Sequence, residues 1–175
     1  MRSWFIRISL LVCLAASLTG QTNEWRRYRN IDGNFSALMP TEPTDSPNGD
    51  QDASPSHTIQ AIDGTVGYTV VYVISKDDQP VNEATFNVYR DAFLKGLPQC
   101  EMIKEASASP EIQGYIGHWY RMNCHVGDQP VSFIGNLYWG KHYAYAVLTM
   151  FKTEPSDPPG ARRFSDSFSV IDAAK

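Results

Sequence analysis

Apolar and polar residues alternate along several stretches of the chain, and these stretches predict most of its strands. The segment 65–75 (TVGYTVVYVIS) is rich in β-branched and aromatic residues, which favours a central strand. Segments 131–139 and 142–151 flank Gly140-Lys141 and predict a hairpin with Trp139 opposite His142. In that register the opposing pairs are Phe133 with Leu148, Leu137 with Ala144 and Val131 with Met150.

Two Asp-Gly pairs predict two further hairpins, because this dipeptide fits tight turns between strands. Ile31-Asp32-Gly33 separates 24–30 from 34–40, and Asp63-Gly64 separates 57–62 from 65–75. The stretch 41–56 (TEPTDSPNGDQDASPS) contains several prolines and almost no apolar residues, so it predicts a solvated acidic loop.

Two other segments have apolar residues at helical spacing. Asn82 is a favourable N-cap for the first, and Pro98 ends its pattern. Asp157 is the predicted N-cap of the second, with Pro158 as its first helical residue. The apolar residues are Phe86, Tyr89, Phe93 and Leu97 in the first helix and Ala161, Phe164 and Phe168 in the second.

The N-terminal segment 1–22 has the features of a secretory signal peptide. Arg2 and Arg7 come before or beside an apolar run, 8–18, that is too short to span a bilayer. A retained N-terminal anchor is the alternative. A lipoprotein signal at Cys13 is disfavoured because the bulky Val12 precedes it. The expectation is an exported protein, periplasmic or secreted, with one domain over 23–175.

Cys100 and Cys124 lie at the outer ends of a predicted hairpin whose turn falls at 110–114. Without Cys13 they form an even pair, which in an exported protein favours a disulfide. Two buried thiols are the alternative. The disulfide sets the turn midpoint at Ile112. In this register the opposing pairs are Met102 with Met122, Lys104 with Tyr120 and Ala106 with His118.

The chain is acidic. Its 15 Lys and Arg residues face 19 Asp and Glu residues, and without Arg2 and Arg7 the net charge is about −6. This charge argues against nucleic acid or an anionic membrane as a partner. No apolar run after the signal is long enough for a transmembrane segment. The elements together predict an α+β fold, an antiparallel sheet of about six strands with two packed helices.

Three short motifs are spread over the chain. They are Gly33-Asn34-Phe35-Ser36 with Pro40, Gly114-Tyr115-Ile116-Gly117, and Phe164-Ser165-Asp166-Ser167-Phe168. Together they resemble a group of exported bacterial domains with the PsbP-like architecture, although Ile116 stands where that group tends to have proline. The resemblance implies an α/β/α sandwich and export, and it supplies no catalytic residue.

Motifs for catalysis, metal binding or cofactor binding are not found in the sequence. His57, His118, His125 and His142 are scattered without metal-ligand spacing. Asp45, Asp50 and Asp52 do not fit the spacing of a calcium-binding EF-hand. We therefore predict no catalytic residue, no metal site and no cofactor.

Aromatic residues give the sequence its one candidate binding surface. Tyr138, Tyr143 and Tyr145 share a face of one predicted hairpin, with Trp119 on the same side of the neighbouring strand. If exposed, they would form a platform for a sugar, a peptide or a partner protein. If covered, they are core. The leading hypothesis is a non-catalytic exported module that binds an unknown protein or small ligand in the cell envelope. The alternative is an envelope hydrolase whose active site is assembled from distant residues.

Overall fold

A computed structural model describes residues 24–48, 55–97, 100–153 and 156–172. The segment 1–22, Asp50, Asp52 and the tail 173–175 lie outside these ranges. The strands are β1 (Arg26–Asn30), β2 (Phe35–Met39), β3 (Thr44–Asn48), β4 (Ser56–Asp63), β5 (Val66–Ile74), β6 (Cys100–Ser107), β7 (Ile116–Val126), β8 (Gln129–Trp139), β9 (Tyr143–Lys152) and β10 (Ser169–Val170), and the helices are α1 (Glu83–Gly96) and α2 (Pro159–Ser167).

The strands form two antiparallel sheets. The larger has seven strands in the order β3-β4-β5-β9-β8-β7-β6, and the smaller has three in the order β1-β2-β10. The predicted α+β class with two helices is confirmed. In place of one sheet of about six strands there are ten strands in two sheets. Two of them were not predicted as strands: β3 falls in a predicted loop, and β10 contains only two residues. Such a short strand leaves no periodic pattern in the sequence.

The central strands of the seven-stranded sheet, β5, β8 and β9, bury the side chains that alternate onto both of its faces. We call the face covered by α1 the α1 face, and the face covered by α2 and the three-stranded sheet the α2 face. The α1 face packs Val71, Phe86, Phe93, Tyr120, Met122, Phe133, Leu137, Ala146 and Leu148. The α2 face packs Phe35, Tyr68, Val70, Tyr72, Tyr138, Tyr145, Val147, Phe164 and Phe168.

The hairpin of β6 and β7 keeps the predicted register only at its open end. Cys100 pairs with Cys124 and Met102 with Met122, as predicted. A register shift between Met102 and Lys104 then moves every later pair by one residue. The extra residue forms a bulge, a feature over-represented at sheet edges. Beyond the bulge, Lys104 pairs with Arg121 and Ala106 with Trp119, which corrects the predicted pairs with Tyr120 and His118.

The hairpin of β8 and β9 is shifted by two residues from its predicted register. Trp139 pairs with Ala144, so four residues, 140–143, lie between these partners in place of the two predicted. A shift of two leaves each side chain on the same face, so the predicted division between faces is preserved. The observed pairs are Phe133 with Met150, Leu137 with Ala146 and Val131 with Lys152.

Strand β3 lies within the stretch 41–56 that was predicted to be loop. It is an edge strand paired with β4, and four of its five residues are exposed. Exposure on both faces explains its polar composition, and an edge strand tolerates Pro47 because one side of its backbone needs no partner. Hydrophobic alternation, the usual sequence signal for a strand, is therefore missing here.

The two helices differ in how they begin. Asn82 caps α1 as predicted: its side chain accepts a hydrogen bond from the Thr85 amide in a capping box. Helix α2 begins at Pro159, with Pro158 at the N-cap position and no side-chain cap. Asp157 is thus not the cap that the sequence predicts, because its carboxylate binds Arg121. Neither helix, nor any other in the described ranges, is long and apolar enough to cross a membrane.

Candidate functional site

The disulfide predicted between Cys100 and Cys124 is present and joins the edge strand β6 to β7. Cys124 is buried on the α1 face, under α1. The bond closes a loop of 24 residues, for which the chain-entropy model gives about 3 kcal/mol of stabilisation. Its position indicates a structural role, since it fixes the last strand of the sheet.

Two of the four candidate surface aromatics belong to the core. Tyr138 and Tyr145 are 1% and 0% exposed, because Phe168 from the end of α2 packs on both rings. Each hydroxyl is satisfied internally: Tyr138 donates to the Pro110 carbonyl and Tyr145 to the Gly33 carbonyl. The covered alternative applies to these two residues, and they do not form an exposed platform. Burial, with the nearby Asp166 carboxylate, raises the pKa of Tyr138.

The other two aromatics are half-buried and lie in different surroundings. Tyr143 stacks on Tyr145 with 5.9 Å between ring centroids. Trp119 lies on β7, where it packs beside Ile134 and Ala161. Its indole Nε1 forms no hydrogen bond with the described residues, in contrast to Trp139, whose Nε1 donates to the Pro80 carbonyl. The Tyr143 hydroxyl also forms no hydrogen bond with the described residues, so what distinguishes Trp119 is the cleft that it lines.

Trp119 lines a cleft of about 550 Å³ between α2 and strands β7 and β8. Such a volume is typical of small-molecule sites. Gly135 in the cleft wall has φ 155°, and a Cβ there would lie 1.9 Å from the Val147 carbonyl oxygen, so only glycine fits. The lining residues are Ser109, Trp119, Ile134, Gly135, Asp157, Pro158, Pro159, Ala161, Arg162, Ser165 and Asp166.

Asn136 holds the polar wall of this cleft in place. It is fully buried, and its Nδ2 donates to the Ser109 carbonyl at 2.8 Å and to Ser165 Oγ at 2.7 Å. Its Oδ1 accepts from the Ser109 amide. One side chain on β8 thus ties both α2 and the loop after β6 to the sheet. A buried amide in an apolar strand needs such partners, since leaving it without them costs about 1–3 kcal/mol.

Two arginine–carboxylate pairs contribute the charged groups of the cleft. Arg121 Nη1 donates to Asp157 Oδ1, and Arg162 Nε donates to Asp166 Oδ2 at 3.2 Å. The Lys104 ammonium lies 6.0 Å from the centre of the Trp119 ring. Each carboxylate of the lining is therefore balanced by a guanidinium. Apart from the Lys104 ammonium beside Trp119, the cleft offers hydrogen-bond donors and acceptors whose charges are paired.

The four histidines lie outside this cleft. His57 binds Asp45 at 2.7 Å on β4, and His142 lies 3.4 Å from Asp78 after β8. His125 is exposed near the end of β7. In the described part of the chain, no three His, Cys, Asp or Glu residues are grouped as metal ligands.

His118 belongs to a polar cluster on the α1 face. Its Nδ1 lies 2.7 Å from Glu105 Oε1, and the same oxygen accepts a hydrogen bond from the Tyr120 hydroxyl at 2.9 Å. Its Nε2 lies 3.5 Å from a Glu83 oxygen, and Phe86 stacks on the ring. Burial and the Glu105 carboxylate raise the pKa of Tyr120. The cluster joins α1 to β6 and β7, and it faces away from the cleft.

Sequence reasoning identified Trp119 but missed the residues that surround it. Asn136 interrupts the apolar strand VSFIGNLYW, and that interruption is a usable signal, because a polar residue at a core position requires a partner. Ser109, Asp157 and Ser165 meet only through tertiary contacts, and no local pattern marks them.

The cleft combines an aromatic wall, two serine residues and two balanced ion pairs. This arrangement can stack an apolar ring face on Trp119 and exchange hydrogen bonds around its rim. None of the known protein-family models matches the sequence, and none of the curated proteins is significantly similar to it.

Proposed function

We propose that the protein is a non-catalytic, exported binding module that holds a neutral, hydroxyl-rich ligand, a saccharide, in the cleft between Trp119 and α2. The observation that carries this proposal is the composition of the cleft. Its polar groups are hydroxyls and charge-balanced ion pairs, and its apolar wall is an indole. The ligand class follows from matching these groups to a molecule that has both an apolar ring face and many hydroxyls.

The balance of charge favours a neutral ligand over an ionic one. Asp157 and Asp166 are each engaged by an arginine, so a cation would have to compete with Arg121 or Arg162. An anion would meet the same two carboxylates. A hydroxyl group donates and accepts, so it can bind beside both members of an ion pair without displacing either.

Trp119 would supply the stacking surface. Its ring is half-buried, so one part packs on the protein while another remains accessible. Aromatic side chains contribute large contact areas at a low cost in conformational entropy. The free indole Nε1 adds one donor at the edge of that surface. Trp119 was the member of the predicted aromatic platform that we retain as a binding residue.

Export is supported by the N-terminal pattern and by the disulfide. The segment 1–22 reads as a signal peptide, and disulfides persist in oxidising compartments. We propose a periplasmic or secreted location on these grounds. We also propose that the domain adopts the PsbP-like architecture, since α1 covers one face of the main sheet and α2, with the small sheet, covers the other.

Binding to immobilised neutral oligosaccharides, followed by calorimetry with each hit, tests the proposal. Cello-, malto- and chito-oligosaccharides are suitable probes because they differ in ring orientation and substituents. We expect at least one to bind the wild-type protein. Trp119→Ala should weaken that binding at least tenfold, since stacking and the indole donor are both lost, while Trp119→Phe should retain part of it.

Trp25→Ala is the matched control, because Trp25 is also half-buried and packs on Tyr68, Gly160 and Arg163 but does not itself line the cleft. It should leave the affinity unchanged. Thermal unfolding of each variant separates lost binding from lost fold. Absence of binding to every neutral oligosaccharide, or equal losses in the two alanine variants, would contradict the proposal.

A further inference from the structure

The outer side of the three-stranded sheet carries arginine and serine side chains. In β2, Phe35 and Ala37 point to the core and are 0% exposed, so Ser36 between them lies on the opposite side of the sheet, where Arg27 and Ser169 leave it only 8% exposed. Arg29 on β1 and Ser169 on β10 are the two cross-strand neighbours of Ser36. Arg27 reaches the same place, with Nη1 3.1 Å from Ser36 Oγ. We call these four residues, Arg27, Arg29, Ser36 and Ser169, the arginine face.

Directly opposed residues of antiparallel strands have Cβ atoms about 5 Å apart. Arg29, Ser36 and Ser169 therefore form one continuous row across all three strands. Arg27 adds a second guanidinium, because its Nη1 also donates to the Ser167 carbonyl at the end of α2. Four side chains from three strands are thus neighbours on this side of the small sheet.

The arginine face has hydrogen-bond donors to spare. Ser36 Oγ and Ser169 Oγ lie 2.9 Å apart and share one hydrogen, so the second hydroxyl hydrogen of the pair has no acceptor among the described residues. Arg27 uses Nη1 for its two hydrogen bonds, which leaves Nε and Nη2 available. Arg29 is exposed and forms no ion pair or hydrogen bond with the described residues.

Neither guanidinium is neutralised. Within the described ranges, Arg90, Arg121 and Arg162 are bound to carboxylates, whereas Arg27 and Arg29 are not. The whole chain has a net charge of −4, which by itself disfavours anionic partners. Charges separated by more than about 8–10 Å are largely screened at physiological salt, so the local group decides what binds there.

We propose that the arginine face binds a phosphate group, either free phosphate or the headgroup of an anionic lipid. Guanidinium forks match the oxygens of phosphate, and the spare serine hydrogen adds a neutral donor to the same group. This site lies on the small sheet and is independent of the ligand proposed for the cleft. Trp119→Ala should therefore leave phosphate binding unchanged.

Two probes distinguish the two sources of phosphate. Inorganic phosphate, titrated at physiological ionic strength, should shift the amide resonances of Arg29, Ser36 and Ser169. Vesicles of phosphatidylglycerol mixed with phosphatidylcholine should cosediment with the protein if the source is a lipid, and vesicles of phosphatidylcholine alone should not. Binding of either probe supports the site, and the difference between them identifies the source.

Arg29→Ser should weaken binding about fivefold, the effect of one basic residue near an anionic surface, and adding Arg27→Ser should weaken it further. The matched control is Arg26→Ser, which makes the same charge change on the same strand. Side-chain alternation places Arg26 on the other side of β1, so it should weaken binding by only about twofold through its charge. The proposal is overturned if neither probe binds, or if Arg26→Ser and Arg29→Ser weaken binding equally.

Discussion

The two faces of the seven-stranded sheet are covered differently, although the same strands supply both. Adjacent residues on β7 show the contrast. His118, on the α1 face, stacks on Phe86 with 4.6 Å between ring centroids and bonds Glu105. Trp119, on the α2 face, lines a cleft of about 550 Å³ with its Nε1 open. At these neighbouring residues, the α1 face pairs its polar group with a carboxylate and the α2 face leaves an indole donor available.

The difference arises from how each helix meets the sheet. Phe86 and Phe93 place a continuous apolar stripe of α1 on the sheet. Helix α2 is shorter, and near Ser109 it meets the sheet through the polar contacts of Asn136. Hydrogen bonds hold α2 at a set distance without filling the space beside it. Residues that line the cleft can therefore be substituted while the α1 face maintains the fold.

The largest expected effect is on the α1 face. Phe86→Ala should lower the free energy of unfolding by about 3–5 kcal/mol, because it removes a fully buried ring beneath α1. Trp119→Ala, on the α2 face, should lower the free energy of unfolding by only about 1 kcal/mol, since the ring is half-buried. Urea unfolding of both variants measures the contrast. Similar losses would show that the two faces contribute equally to stability.

Removing the disulfide should come next. Cys100→Ser with Cys124→Ser should lower the free energy of unfolding by about 3 kcal/mol, because the unfolded chain regains the freedom of a 24-residue loop. Saccharide binding in the cleft should survive, since neither cysteine lines it. Non-reducing peptide mass spectrometry of the wild type provides the control by detecting the linked peptide. Loss of binding in a folded double-serine variant would argue against two separable faces.

Replacing Asn136 tests whether its hydrogen bonds maintain the cleft. Asn136→Ala should lower the free energy of unfolding by about 1–3 kcal/mol, because the Ser109 amide and carbonyl lose their partner. It should also weaken ligand binding, although Asn136 does not line the cleft. Ser132→Ala, a buried polar change on the same face of the same strand, is the matched control. Unfolding and ligand binding should be measured for both variants. If Ser132→Ala weakened binding as much as Asn136→Ala, the role given to Asn136 would be contradicted.

The smallest effect concerns alkaline pH. Burial, followed by the Asp45 and Asp32 carboxylates, raises the pKa of Tyr72 from 10.0 to about 12. Between these values the unfolded chain releases a proton that the folded chain retains. Stability is therefore unaffected below pH 10 and falls as pH rises toward 12, by about 1.4 kcal/mol per pH unit for each such phenol. Phenolate absorbance and circular dichroism should change together above pH 10. Ionisation of Tyr72 without unfolding would oppose this assignment.

The sequence was sufficient for elements whose signals are local. The Asn82 cap and the Cys100–Cys124 pair were predicted and are present. The hairpin of β4 and β5 is also present, but its turn lies one residue later than predicted, at Gly64-Thr65, because Asp63 pairs with Val66. Registers were harder, because a bulge between Met102 and Lys104 or a longer loop at 140–142 shifts pairing without disturbing the alternation of side chains.

Of the residues that line the candidate site, only Trp119 was predicted from the sequence. Tyr138 and Tyr145 share its face of the sheet, but Phe168, from the end of α2, covers them. Which aromatic residue is covered depends on where the small sheet and α2 dock. That docking is a long-range event with no periodic signal, so the sequence favoured a covered aromatic face but did not show which residues are covered.

The most direct test follows the indole Nε1 protons of Trp119 and Trp139 by NMR during titration with the tightest-binding oligosaccharide. Trp119 lines the cleft on the α2 face, whereas Trp139, on the α1 face, donates from Nε1 to the Pro80 carbonyl at 3.0 Å. We expect the Trp119 resonance to shift in proportion to saturation and the Trp139 resonance to stay in place. A shift of Trp139 without one of Trp119 would contradict the assignment of the cleft as the binding site.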